Sequence, residues 1–237
     1  MKRKLIEWAD KYEVEGFIAN DPVQFPRKHI GKRAEISGFI TSWLSFGNRK
    51  AIIKVAEWLD KDFFDDPYCW LMTKQYNFYY NDHRSFYRFL TYDDLYRLGD
   101  RLHRLYEDFE RMEDMVVAWS NKTPVQALSA YFNGINGIPD YDKGSACKRL
   151  CMFLRWIVRT GSPVDMGIWR KVSPDSLIIP LDTHVHRMAL ELGLTSRKQA
   201  DMKTAVEITN AMREIFPNDP ARGDFALFGY GVEHKNK

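Results

Sequence analysis

Apolar residues recur along this chain at the three- and four-residue spacing of amphipathic helices. In the segment 34–61, a first apolar stripe consists of Ile36, Phe39, Ile40, Trp43 and Leu44. A second stripe with the same period consists of Ile52, Val55, Ala56 and Leu59. Phe46-Gly47-Asn48 interrupts the period between them, so the segment predicts a helix, a turn and a second helix.

Helix-start signals and further helical periods fill most of the remaining chain. Thr91, with Asp94 three residues later, predicts a capped helix start, and Thr123 before Pro124 predicts another. Helical periods continue in the segments 145–160, 183–192, 201–216 and 219–232. The segment 133–144, with three glycines and one proline, predicts a loop. Because no alternating pattern is long enough to predict a substantial strand, the expected fold class is all-α.

The composition favours one soluble globular domain. The chain has 237 residues, of which 45% are apolar and 28% charged. No window approaches the ~18 uninterrupted apolar residues of a membrane span, and the first residues lack the apolar region of a secretory signal. The three cysteines, Cys69, Cys147 and Cys151, lack zinc-finger spacing. We therefore expect reduced thiols in a cytoplasmic protein that does not bind a membrane.

The charge pattern alone does not identify a partner. The net charge of +3 is mild, and two segments rich in Lys and Arg, 26–33 and 148–159, have the composition of solvated helix faces. Aromatic residues make up 14% of the chain, which a large core explains. Stacking of bases on a few of these rings stays open at this point.

The segment 178–187, IIPLDTHVHR, allows two kinds of chemistry. Asp182, His184 and His186 form an Asp-x-His-x-His string that could bind a metal ion. The residues that follow keep a helical period, however, and two helix residues i and i+2 lie ~200° apart. We therefore predict no metal site and expect the two histidines to point in different directions. Asp182 is then expected at a helix start, where it accepts backbone N–H bonds, either as a simple cap or as a catalytic carboxylate.

Several segments together resemble the helix-hairpin-helix DNA glycosylase superfamily. The string PLDTHVHR resembles its catalytic aspartate segment, and GSACKRLCMFLRWIVR resembles the helix that carries its Schiff-base lysine. The segments 36–59 and 221–231 resemble its early helix–turn–helix and its closing helix. The chain looks closest to an uncharacterised bacterial family and is distantly similar to the archaeal 8-oxoguanine DNA glycosylases. Two departures are a missing Leu-Pro-Gly-Val-Gly hairpin and a long spacing between Lys148 and Asp182, which fits only the archaeal branch.

The resemblance implies a two-lobed helical bundle of the glycosylase type and a Lys/Asp catalytic pair. The central lobe would span about 34–165, and the second lobe would combine 1–33 with 166–237. Lys148 would attack the sugar C1′ of a damaged nucleotide, and Asp182 would activate the amine and stabilise the cation that develops. We expect Arg149 or Arg155 to lower the pKa of Lys148 by like-charge repulsion.

The resemblance also implies residues that bind the substrate, which would be double-stranded DNA with a damaged base, an oxidised purine. Asn48 and Arg49 would fill the gap left by the extruded base. Asp224 and Phe228 would hold that base by hydrogen bonding and stacking. Phosphate contacts would come from Lys143, Gly144 and Ser145, and more diffusely from segment 26–33.

No cofactor is expected, and the expected state is a monomer. Two alternatives stay open from the sequence: a non-catalytic DNA-binding module on the same scaffold, and a helical protein with a role unrelated to DNA.

Overall fold

The computed structural model describes residues 1–62 and 66–234, and helices dominate it, with 62% helix and 3% strand. This confirms the all-α class. The helices are α1 (Lys2–Tyr12), α2 (Gly31–Leu44), α3 (Arg49–Asp62), α4 (Pro67–Met72), α5 (Tyr92–Asp108), α6 (Met112–Ala118), α7 (Pro124–Tyr131), α8 (Lys148–Val158), α9 (Thr183–Glu191), α10 (Met202–Arg213) and α11 (Gly223–Glu233). The strands are β1 (Ser85–Tyr87) and β2 (Leu90–Thr91).

Helix α2 lies at the centre of the fold and is buried on every side from Ala34 onwards. The amphipathic pattern predicted only one buried face, so that prediction was incomplete. The small and polar residues of its opposite face are covered by other helices, and Gly38 lies against the ring of Phe153 on α8. Glu35, fully buried on this helix, accepts hydrogen bonds from Tyr106 at 2.8 Å and from Trp169 at 2.9 Å. An amphipathic pattern of apolar residues does not by itself identify a helix that is covered on all sides.

The helix-start signals read from the sequence are confirmed. Thr91 and Thr123 cap α5 and α7, each in a capping box with the side chain three residues later. Asp182 caps α9, as expected. Such caps satisfy backbone N–H groups that have no partner inside the helix, which explains why local sequence predicts them well.

Helix α8 begins three residues later than its helical period indicates. Cys147 has a left-handed backbone with φ +48°, and Ser145 forms an isolated backbone bridge with Asp201 before the helix starts. Lys148 is therefore the first residue of α8 and not an interior one. All three cysteines are free thiols, and burial raises the pKa of Cys147 to about 11.

A two-stranded hairpin stands where no strand was predicted. Strands β1 and β2 pair in antiparallel register, with Ser85 opposite Thr91 and Tyr87 opposite Leu90. The strands are too short for an alternating pattern to identify them. The hairpin packs on the core through Tyr87 and Leu90, which are both buried.

The two ends of the chain come together in the fold, because α1 packs on α11 and α11 packs on α9. Gly229 allows the close approach of α1, since a Cβ atom at this position would overlap the ring of Tyr12. One continuous hydrophobic cluster contains residues of both predicted lobes, so the lobe boundaries stay a prediction. Among the described residues, no helix has the length and apolar character needed to cross a bilayer.

Candidate active site

A cavity of about 850 Å³ is lined by residues from both of the predicted lobe segments. Its walls are the turn before α3, the start of α8, the segment 180–184 and one face of α11. Six of the nine predicted site residues line it: Asn48, Arg49, Lys148, Asp182, Asp224 and Phe228. Residues that are far apart in the sequence thus meet at one opening of a size that holds a small organic ligand.

Lys148 places an amine without a polar partner in this cavity. The side chain is half-buried, and among the described residues its amine makes no hydrogen bond and no ion pair. Burial is the main cause that lowers the pKa of the amine, and the carboxylates of Asp182 and Asp224 oppose it only in part. The start of α8 adds to the effect, because the positive end of a helix dipole disfavours a cation.

Repulsion from Arg149 or Arg155 was expected to lower the pKa of Lys148, but it is not the main cause. Arg149 does lower the pKa of Lys148, but as a smaller cause than burial. The charge of Arg155 is matched by ion pairs with Asp165, at 3.3 Å, and with Asp224. Desolvation of the amine, more than repulsion from neighbouring arginines, therefore favours the neutral and nucleophilic form of Lys148.

Asp182 caps α9 with one carboxylate oxygen and leaves the other free. Its Oδ1 accepts hydrogen bonds from the backbone N–H groups of His184, at 2.8 Å, and Val185, at 2.9 Å. Its Oδ2 has no hydrogen-bond partner among the described residues, and the residue lines the cavity. The sequence suggested either a cap or a catalytic carboxylate at Asp182. The structure shows that one side chain can cap α9 and still contact a ligand.

Asp224 brings a second carboxylate to the cavity from α11. It is buried and forms an ion pair with Arg155. Burial raises the pKa of Asp224 to about 6, with Arg155 opposing the rise and the nearby Asp182 charge adding to it. The arginine engages Oδ2, so Oδ1 is the atom that can accept a hydrogen bond from a ligand.

A buried network of charges supports Asp224 from behind. Arg155 and Arg159 share Asp165, and Arg159 also contacts Glu13 and Asp219, both at 2.8 Å. Both arginines stand within segment 148–159, so the interpretation of this segment as a solvated face was wrong. The arginines of α8 are neutralised in the interior because carboxylates from distant parts of the chain reach them, Glu13 at the end of α1 and Asp224 on α11.

The other basic segment, 26–33, has most of its charge neutralised internally. Lys28 pairs with Asp60, Lys32 with Glu110 at 2.6 Å, and Arg33 with Asp66 at 2.6 Å. Arg27 donates to the backbone carbonyl of Val164 at 2.8 Å. These pairings weaken the expectation that the segment contributes diffuse phosphate contacts.

Asn48 and Arg49 lie at the rim of the cavity. The Asn48 side chain accepts a hydrogen bond from the backbone N–H of Ala51 at 2.9 Å and so starts α3. The guanidinium of Arg49 lies 5.2 Å from the ring centre of Phe228 and 5.9 Å from that of Phe17. Cation–π contact of this kind holds Arg49 over the aromatic wall of the cavity. Its role in filling a gap in DNA stays a prediction.

Lys143, Gly144 and Ser145 lie in the loop before α8 and outside the lining of the cavity. Lys143 is exposed and pairs with Asp140 at 3.2 Å. The carbonyl of Gly144 accepts a hydrogen bond from the backbone N–H of Met202 at 3.1 Å, and the Ser145 hydroxyl accepts one from that of Cys147 at 3.2 Å. The structure does not bring these three residues to the lysine and the carboxylates, and their phosphate contacts stay a prediction.

The two histidines of the 178–187 segment point apart, as the helical period predicted. His184 faces the cavity, where its ring lies edge-on to Phe228 at 5.8 Å. His186 makes a hydrogen bond with the carbonyl of Arg197 at 2.8 Å, away from the cavity. Within residues 1–62 and 66–234, no group of three or more His, Cys, Asp or Glu residues is placed to bind a metal ion.

Sequence reasoning missed several residues of the cavity wall, above all Phe17, Asp21, Phe46 and His184. Asp21 precedes Pro22 and caps a short 3₁₀ turn, a signal that the sequence does contain. Its negative charge also acts on the pKa of Lys148. Nothing local indicates that this cap faces Lys148, because that proximity depends on how distant segments pack.

One protein family matches this chain over most of its length. No curated protein and no solved structure matches the chain. The model of one family, described as Protein of unknown function (DUF2400), matches residues 21–233. This range contains most of the chain, including Lys148, Asp182 and Asp224. The chain therefore belongs to the DUF2400 family.

Proposed function

We propose that this chain is a DNA base-excision repair glycosylase with abasic-site lyase activity, acting on an oxidised purine. The observation that carries the proposal is the environment of Lys148, which favours the neutral form of its amine. Its amine has no polar partner among the described residues and opens into the same cavity as the carboxylates of Asp182 and Asp224. A lysine with a lowered pKa beside a carboxylate is the combination that covalent amine catalysis needs.

The reaction assigns a separate task to each group. The damaged base leaves the duplex and enters the cavity, since its sugar C1′ is unreachable within the stack. The Lys148 nitrogen forms a bond to C1′ as the C1′–N bond to the base breaks. The base departs with that electron pair and takes up a proton, and the Lys148 nitrogen loses one. Asp182 stabilises the positive charge on the sugar through its free Oδ2.

Opening of the sugar ring then gives a Schiff base between Lys148 and C1′. Loss of a proton from C2′ expels the 3′-phosphate, which cleaves the strand, and water releases the lysine. In this proposal the phenyl ring of Phe228 holds the extruded base by stacking and the free Oδ1 of Asp224 holds it by hydrogen bonding, which is supported by the position of both residues in the cavity lining. Arg49 over Phe228 would enclose the base from the rim.

Borohydride trapping tests the proposal directly. The protein is incubated with duplexes that each carry one lesion, 8-oxoguanine or an abasic site among them, in the presence of sodium borohydride. Reduction of the imine gives a secondary amine that resists denaturation and migrates as a covalent protein–DNA complex. We expect such a complex with at least one lesion and none with undamaged duplex.

The other outcomes separate the remaining hypotheses. Salt-sensitive binding of DNA without trapping or base release would identify a non-catalytic DNA-binding module. Absence of both binding and trapping over the whole lesion panel would contradict a role in DNA repair.

Asp182→Asn tests whether the cap also acts in catalysis. Asparagine caps a helix as well as aspartate does, so we expect the free energy of unfolding to change by less than about 0.5 kcal/mol. We expect the trapping rate to fall about 10²-fold or more, because the developing cation loses its counter-charge. Loss of the Asp182 charge also lowers the pKa of Lys148 further, so the residual rate should reach its plateau at a lower pH than in the wild type.

A matched control is Asp201→Asn, because Asp201 caps α10 through Thr204 and lies outside the cavity lining. This control should keep the wild-type trapping rate and pH profile. Equal rates for the wild type and Asp182→Asn would reduce Asp182 to a structural cap.

A further inference from the structure

The tip of the β1–β2 hairpin lies against the rim of the cavity. The ring of Phe89 stacks on that of Phe46 with 4.8 Å between their centres, and Phe46 lines the cavity. The guanidinium of Arg88 lies so close to Gly47, also a lining residue, that a Cβ atom there would be 2.8 Å from its Nη1. The hairpin, which the sequence did not predict, therefore borders the candidate active site.

The hairpin tip is held firmly in this position. The hydroxyl of Tyr87 donates a hydrogen bond to the carbonyl of Phe46, and the hydroxyl of Ser85 donates one to the carbonyl of Arg88 at 2.7 Å. Tyr87 and Leu90, on either side of the tip, are buried in the core. The two tip residues are thus presented by a rigid support.

The rest of the protein engages both tip residues only in part, through Phe46 and Gly47. Phe89 is 56% exposed although it is a large apolar residue. Arg88 has φ +54°, a left-handed conformation that favours glycine, and its guanidinium makes no hydrogen bond or ion pair with a described residue. Besides its approach to Gly47, the guanidinium lies 5.8 Å from the ring centre of Phe46. A strained backbone at Arg88 and an apolar ring at Phe89 that stays largely exposed, both at the edge of a site, favour a role in ligand contact.

The charge around the tip fits an anionic partner. Arg49, which lines the same cavity at the start of α3, makes no ion pair within the described part of the chain. Segment 26–33, by contrast, has Lys28, Lys32 and Arg33 bound to carboxylates. An exposed aromatic ring among unpaired cations has the chemistry that stacks on bases and neutralises phosphates.

We propose that the Arg88–Phe89 tip is a DNA-contacting element in which Phe89 stacks on a base next to the extruded nucleotide and Arg88 contacts a backbone phosphate. This inference rests on the proposed function, because it takes DNA as the occupant of the rim. It assigns a role to a hairpin that lies outside the segments for which the sequence suggested DNA contacts.

The test measures equilibrium binding to a duplex that contains a tetrahydrofuran abasic analogue, which cannot form a Schiff base. We expect Phe89→Ala to weaken binding about tenfold, the effect of losing one base–aromatic stack. Phe89→Tyr, which keeps the ring, should restore most of the affinity. Arg88→Gly should reduce the slope of log K against log salt concentration by about one, since one phosphate contact is lost.

Two controls separate this contact from general effects. Phe78→Ala removes an aromatic ring that is more exposed still, at 87%, and that lies on a 3₁₀ turn outside the cavity lining. It should leave the affinity unchanged. Arg88→Gly should not lower the thermal stability, because glycine adopts a positive φ without steric cost.

The outcomes for the tip and for the proposed function are distinguishable. Wild-type affinity in Phe89→Ala, or an equal loss in Phe78→Ala, would overturn the role of the tip while borohydride trapping by the wild type still stands. Binding that depends on Phe89 without any trapped complex would support the tip contact and contradict catalysis.

Discussion

Lys148→Ala is expected to abolish the borohydride-trapped complex, a loss of about 10³-fold or more in trapping rate, because alanine has no amine to form the imine. The fold should tolerate this change. The Lys148 amine has no hydrogen-bond or ion-pair partner in the described residues, and keeping an amine in a desolvated position opposes folding. We therefore expect the free energy of unfolding, measured by urea titration, to stay the same or to rise slightly.

A second lysine provides the control for this experiment. Lys122 is exposed in the loop between α6 and α7, outside the cavity lining, and Lys122→Ala should trap as the wild type does. Binding of Lys148→Ala to the tetrahydrofuran duplex should remain within a few-fold of the wild type. A trapped complex in Lys148→Ala would mean that another amine forms the imine, and the role proposed for Lys148 would be lost.

The features that the sequence predicted well are those that depend on a few neighbouring residues. The caps at Thr91, Thr123 and Asp182 follow from one side chain and the backbone N–H groups two or three positions later. The break between α2 and α3 follows from the turn residues around Gly47, which has φ +99°. Local chemistry decides these positions, so the sequence contains most of the information.

Features that depend on distant contacts were missed or misread. The helical period placed Lys148 inside a helix, but a backbone bridge between Ser145 and Asp201 delays the start of α8. The arginines of α8 were interpreted as solvated, but their carboxylate partners, such as Glu13 and Asp219, come from the two ends of the chain. Periodicity shows which residues share a helix face, and it does not show which charges on other elements will cover that face.

For the candidate site, residue type and the superfamily resemblance indicated several residues that line the cavity, and packing determined their environment. Lys148, Asp182, Asp224 and Phe228 were all expected near the substrate, and all four line one cavity. Burial as the main cause of the lowered pKa of Lys148 could not be predicted, because it depends on how closely the segments around the amine pack. Nor could the ion pair that ties Asp224 to Arg155 be predicted.

Arg159→Met should be the most destabilising substitution in the buried charge network. Arg159 is 2% exposed and contacts the carboxylates of Glu13, Asp165 and Asp219. Methionine has a similar volume but leaves these carboxylates with less compensation. We expect the free energy of unfolding in urea to fall by about 3–5 kcal/mol at neutral pH, the usual effect of removing one partner from a buried ion pair.

The loss should be smaller in acid, and this pH dependence distinguishes charge from packing. Burial already raises the pKa of Asp165, and Arg159 opposes that rise, so the pKa of Asp165 should be higher still in the variant. The penalty for a buried carboxylate exists only above its pKa and is relieved as the pH falls through it. The stability difference between the variant and the wild type should therefore shrink from pH 8 to pH 5.

Arg104→Met is the matched control, because Arg104 pairs with Asp100 on the exposed side of α5, at 2.9 Å. This change should cost less than about 1 kcal/mol, as exposed ion pairs contribute little. A pH-independent loss in Arg159→Met would assign its effect to packing of the side chain. If Arg159→Met lowers the free energy of unfolding no more than Arg104→Met does, the buried carboxylates are compensated by other groups. The charge network would then not be what holds Asp224 and α11 in place beside Lys148.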